Sequence, residues 1–123
     1  MQEKVVLAYQ LTKEKEKAIQ EICKEEQIRY KTVAKNRYSQ PLGYLAGISG
    51  IKKVPAVYEG SLFAEEMLVF CGFSGDALDT FLAGCRAKDA TVGLKAIITP
   101  HNIFWSSEQL FAELCREREA MKP

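Results

Sequence analysis

With 123 residues, 47% of them hydrophobic and 27% charged, the chain has the size and composition of one soluble globular domain whose core needs no staples. Seventeen Lys and Arg against sixteen Asp and Glu leave a net charge of +1. That balance argues against nucleic acid as a partner and gives no electrostatic case for an anionic membrane surface. Near-neutral charge favours self-association, so a homodimer is expected. No apolar run reaches signal-peptide or membrane-spanning length, which points to a cytoplasmic protein with no membrane partner. Cys23, Cys71, Cys85 and Cys115 are widely spaced with no C-x-x-C pair. In a reducing compartment they read as small buried hydrophobes, and neither a metal site nor a cofactor is expected.

The first element is an apolar, β-branched strand at Lys4–Tyr9. Thr12 caps a helix whose Ala18, Ile19, Ile22 and Cys23 share one face, opposite a solvated surface of Lys and Glu. Alternation over Ile28–Val33 predicts a strand with one exposed face. Ser39 and Pro41 then open a short helix that buries Leu42, Leu45 and Ile48 and ends at Gly47 or Gly50. Residues 49–65 form an irregular linker with an edge strand expected at Ala56–Tyr58. Glu66–Cys71 is the most hydrophobic strand and belongs at the centre of the sheet. Ser74 caps the next helix, with Asp76 in its first turn and Leu78, Phe81, Leu82 and Cys85 buried. Leu94–Thr99 is the fourth strand, and Ser106 or Ser107 caps a last helix that packs through Leu110, Phe111 and Leu114.

Strand, helix, strand, helix therefore occurs twice. An offset of 62 residues superposes Thr12 on Ser74 and Cys23 on Cys85, and an offset of 66 superposes Ile28 on Leu94 and Asn36 on Asn102. The expected architecture is α/β: a four-stranded, largely parallel or mixed sheet from two pseudo-repeated βαβα units, with helices packed on it. Within a single domain spanning 1–123, residues 4–48 form the first half, 49–65 the linker and 66–119 the second half. A ferredoxin-like fold is the alternative, but it requires a tight hairpin between the second and third strands, where a helix and a linker intervene.

The segments YSQPLGYLAG, EEMLVFCGFS, LKAIITPHNIFW and LFAELCRERE together resemble a functionally uncharacterised family of short bacterial proteins, known only as a domain of unknown function. The resemblance runs through nearly the whole chain, most clearly from Tyr38 onward. It implies no activity, substrate or catalytic residue.

Candidate functional residues cluster where strands give way to helices. Ligands of open α/β sheets bind beyond the carboxyl ends of strands, near helix N-termini. Thr99, His101, Asn102 and Trp105 occupy that position in the second half, and Asn36, Arg37 and Tyr38 in the first. Converging, the two loops would hold a small anionic or polar ligand, with Arg37 as the anion partner. The competing reading makes Asn102 a turn residue, Ser106 or Ser107 a helix cap, and Trp105 a plug at the core edge. No phosphate-binding glycine loop, zinc-protease helix or nucleophile elbow is present. Gly47-Ile48-Ser49-Gly50 before Lys52-Lys53 resembles a KH-module loop only in outline, since Pro55 blocks the helix that should follow. The function expected is a non-catalytic small-ligand-binding or protein-interaction module. The alternative is a small enzyme using His101 with Arg37 or Cys71 in a strand-end cleft.

Overall fold

The computed structural model describes residues 3–121, so the two outermost residues at each end of the single-domain span lie outside it. Four strands, β1 (Val5–Tyr9), β2 (Arg29–Thr32), β3 (Met67–Cys71) and β4 (Leu94–Ile97), alternate with α1 (Lys13–Glu25), α2 (Leu42–Leu45), α3 (Gly75–Ala87) and α4 (Ser107–Ala120). The sheet is mixed, in the order β2-β1-β3-β4. β1 runs parallel to β2 and β3 parallel to β4, while the two central strands are antiparallel. Because β2 and β3 occupy opposite sides of β1, the ferredoxin-like hairpin does not form.

Each central strand is buried along its whole length, consistent with its unbroken apolar sequence. Val6, Ala8, Leu68 and Phe70 face α1 and α3, where Ile19, Ile22, Cys23, Phe81 and Cys85 complete one core. Val5, Leu7, Tyr9, Met67, Val69 and Cys71 face the other layer, which holds α2, the linker residue Phe63, and α4 through Leu110 and Phe111. The helix starts follow the sequence closely. Thr12, Ser74 and Ser106 each accept a bond from the backbone N–H three residues on.

The central ladder pivots on Leu7–Val69, with Val5–Cys71 and Tyr9–Met67 placed symmetrically around it. A second pivot joins the loops that follow β2 and β4. Pro41 and Ser106 form an antiparallel bridge, flanked by Gly43 N–H donating to the Ile103 carbonyl at 2.9 Å and Glu108 N–H donating to the Tyr38 carbonyl at 3.1 Å. The outer ladders correct the offset read from sequence. Arg29 pairs with Val5 as Leu94 pairs with Met67, an offset of 65, so Arg29 rather than Ile28 corresponds to Leu94. The helix-to-strand turns explain it. Ile28 N–H reaches Cys23 O, and Ala90 N–H reaches Cys85 O, so the three residues 91–93 are extra in the second half.

Two further expectations are revised, and the choice between two caps for α4 falls to Ser106. The edge strand at Ala56–Tyr58 is not formed. The Gln40 side chain donates to the carbonyls of Val54 and Ala56 and accepts from Val54 N–H, taking the groups a partner strand would use. The short helix is a single turn, with Pro41 rather than Ser39 in the capping position and Gly47 at φ +81° after it. Ser107 is not the cap of α4. It is fully buried and meets the Tyr9 hydroxyl at 2.6 Å.

Candidate functional site

The loops after β2 and β4 do converge, backbone to backbone at the Pro41–Ser106 bridge. In the first half, Asn36 and Arg37 are exposed on a 3₁₀ turn, and the Asn36 carbonyl accepts from Tyr58 N–H. Tyr38 goes inward. Its ring stacks on Phe63 at 4.0 Å, and Phe63 stacks in turn on Phe111 at 4.1 Å. Burial raises the pKa of the Tyr38 hydroxyl, and more strongly that of Tyr9. Tyr38 is therefore a core aromatic.

In the second half, Asn102 is consumed by the turn it sits in. Its Oδ1 accepts from Thr99 N–H at 2.9 Å, and its Nδ2 donates to the Ile97 carbonyl at 3.1 Å. The geometry has a further meaning. Ile98 N–H bonds the Phe70 carbonyl, so by strand alternation Ile97 and Thr99 turn their backbone groups to the outer edge of β4. The Asn102 carboxamide, a peptide group in miniature, occupies the place of a neighbouring strand and closes that edge. The Thr99 hydroxyl accepts from His101 N–H. His101 is exposed, its ring edge-on to Trp105 with centroids 5.2 Å apart. Trp105 is half-buried against the core beside α4, and its carbonyl accepts from Leu42 N–H. No hydrogen bond, ion pair or ring contact joins Arg37 to His101 among the described residues. Every buried side-chain nitrogen and oxygen among them has a hydrogen-bond partner, so no polar group is held unpaired for a ligand.

What the strand ends do present is a groove of about 610 Å³ at the carboxyl ends of β3 and β4. Ile48, Phe73, Ile97, Ile98, Pro100, Ile103 and Phe104 line it, with Cys71, Gly72, Ser74 and Thr99 completing the wall. Gly72 adopts φ +80°, the left-handed turn that carries the chain from β3 into the cap of α3. Of the residues singled out from the sequence as ligand-binding, only Thr99 lines this groove. Phe104, 70% exposed, and Ile97, 44% exposed, were missed. Their signal was an aromatic in a polar turn and an isoleucine at the tip of an edge strand, neither supported by a periodic pattern. Cys71 is buried at the groove floor, and Cys23 lies deeper in the other core, where burial pushes its thiol up to about 12.

Fold and groove together define an α/β domain with an apolar recess beyond its strand ends. Residues 66–121, the stretch from β3 through α4, match the family model of a domain of unknown function, DUF3783. No curated protein and no solved structure matches the chain. No helix among the described residues is long and apolar enough to cross a membrane.

Proposed function

We propose that this chain is a non-catalytic protein-interaction module and that its binding surface is the groove beyond β3 and β4. The observation that carries this reading is Phe104, a 70% exposed aromatic beside the exposed Ile97 at the mouth of an apolar recess. Aromatic anchors of this kind concentrate the binding energy of protein interfaces. The polar side chains in the groove wall, Ser74 and Thr99, accept from Ala77 N–H and His101 N–H and so serve the helix cap and the turn, which disfavours a small polar or anionic ligand. The alternative enzyme would need His101 gathered with Arg37 or Cys71, and the apolar lining offers it little support.

A second copy of the chain is the first partner to consider, because a net charge of +1 opposes self-association weakly. The two βαβα halves are read as one repeated unit, given the symmetric register about Leu7–Val69 and Pro41–Ser106. Four widely spaced cysteines, three of them buried, suit the cytoplasm. The test is a thermal-shift screen of metabolites and nucleotides on the wild type and on Phe104→Glu. The expected result is no stabilising metabolite for either protein. A compound that raises the wild-type melting temperature and not that of Phe104→Glu would replace the protein partner with a small ligand.

A further inference from the structure

The near-neutral net charge conceals a segregated distribution. Residues 27–58 contain Arg29, Lys31, Lys35, Arg37, Lys52 and Lys53 and not one Asp or Glu. That +6 within a chain of net +1 leaves −5 for the remainder. Hydrogen bonds tie parts of this stretch to one another. The Lys31 ammonium donates to the Leu45 carbonyl at 3.1 Å, tying β2 to the end of α2. Gln40 clasps Val54 and Ala56, and Tyr58 N–H bonds the Asn36 carbonyl, so the segment bearing Lys52 and Lys53 lies against the turn bearing Lys35 and Arg37.

Glu59 follows the stretch directly, and the exposed Glu108 adjoins it through its N–H bond to the Tyr38 carbonyl. Glu3 pairs with Arg29, and Glu16 accepts from the hydroxyls of Tyr30 and Thr32. Among the described residues, Lys31, Lys35, Arg37, Lys52 and Lys53 form no ion pair. Lys35, Arg37, Lys52 and Lys53 are exposed, and none of the five lines the apolar groove. On α1, by contrast, Lys and Glu alternate and cancel.

We infer that this surface docks a nucleic-acid phosphate backbone. Local field, not net charge, governs such binding. The composition distinguishes the occupant: four of the five unpaired cations are Lys, which the cores of protein–protein interfaces avoid but phosphate contacts accept readily. An acidic protein segment would more naturally meet arginine and aromatic side chains. The inference goes beyond the groove reading and stands on different residues.

The experiment is fluorescence anisotropy of a short labelled oligouridylate with the full-length protein over a range of salt concentrations. Four phosphate contacts on a single strand, from the exposed Lys35, Arg37, Lys52 and Lys53, predict a slope of log K against log salt of about −2.8, or roughly a fiftyfold weakening from about 50 to about 200 mM salt. Lys35→Gln/Lys52→Gln/Lys53→Gln is expected to bring the slope to about −0.7. Lys13→Gln/Lys17→Gln/Lys24→Gln on α1 makes the same change in net charge and is expected to leave the slope unaltered. Equal effects from the two triple variants, or no binding by the wild type at low salt, would overturn the assignment. So would an oligoglutamate of matched charge that binds as tightly as the oligouridylate, which would make the partner an acidic protein instead.

Discussion

The contact between the two halves at Gly43 supports a quantitative prediction. A Cβ at this position would stand 2.7 Å from Cγ1 of Ile103, 3.0 Å from Cγ1 of Ile51 and 3.2 Å from the Ile103 carbonyl oxygen. The two side-chain atoms can yield, but the carbonyl belongs to the strap that Gly43 N–H bonds at 2.9 Å. Relieving the clash therefore moves the backbone of one half away from the other. Overpacking of this kind costs about 1–3 kcal/mol, and weakening the hydrogen bond adds about 1 kcal/mol. The usual benefit of replacing glycine by alanine returns up to about 1 kcal/mol. The net expectation for Gly43→Ala is a loss of about 2 kcal/mol, or roughly 8 °C in melting temperature at about 4 °C per kcal/mol. Gly75→Ala is the control, since nothing lies within 4 Å of its added Cβ, and it should be neutral or stabilising by about 0.5 kcal/mol. Urea unfolding monitored by circular dichroism reads both. If Gly43→Ala matched or exceeded the wild type in stability, the tight apposition of the two loops would be refuted.

Three further outcomes are expected. Tyr9→Phe removes the 2.6 Å contact with Ser107 and strands a buried hydroxyl, costing about 1–3 kcal/mol; in urea melts, Tyr9→Phe/Ser107→Ala should cost less than the two single changes added together. Asn102→Ala frees the Ile97 carbonyl and Thr99 N–H at the outer edge of β4, so it should lower stability by about 1–3 kcal/mol and increase aggregation measured by turbidity. The Cys23 thiol is raised by burial from 9.0 to about 12, so the folded chain holds its proton where the unfolded chain releases it. Its contribution to stability is whole below pH 9 and is lost as pH climbs toward 12. Native-state thiol titration near pH 8 should accordingly modify the half-buried Cys115 first and spare Cys23 and Cys85 until unfolding.

Strands and helices were legible in the sequence where burial and capping leave a local signature. Unbroken apolar runs marked β1 as a strand and β3 as central, and Thr12, Ser74 and the pair Ser106 and Ser107 marked helix starts, because each of these signals acts over a few residues. Asn36 and Asn102 look equivalent as letters, but Asn102 closes a sheet edge with its side chain while Asn36 uses its backbone carbonyl. In the strap between the loops, the Ile103 carbonyl accepts from Gly43 N–H and the Tyr38 carbonyl from Glu108 N–H, so Tyr38 and Ile103 play like parts. The edge strand predicted at Ala56–Tyr58 failed because a buried glutamine from another element claimed its backbone groups. The candidate site was the least legible part. Its polar residues serve the turn, and the groove is assembled from Ile48 beyond the end of α2, from β3 and β4 and from the loops after those strands, a long-range juxtaposition that no spacing in one segment records. The charge segregation, in contrast, was present in the sequence all along and was hidden only by summing over the whole chain.

The interaction reading rests most directly on Phe104, and light scattering over a range of protein concentrations tests it in a single comparison. The account predicts that the wild type forms a dimer whose population rises with concentration, while Phe104→Glu retains its fold by circular dichroism and remains monomeric. A Phe104→Glu protein with the same mass as the wild type at every concentration would contradict it.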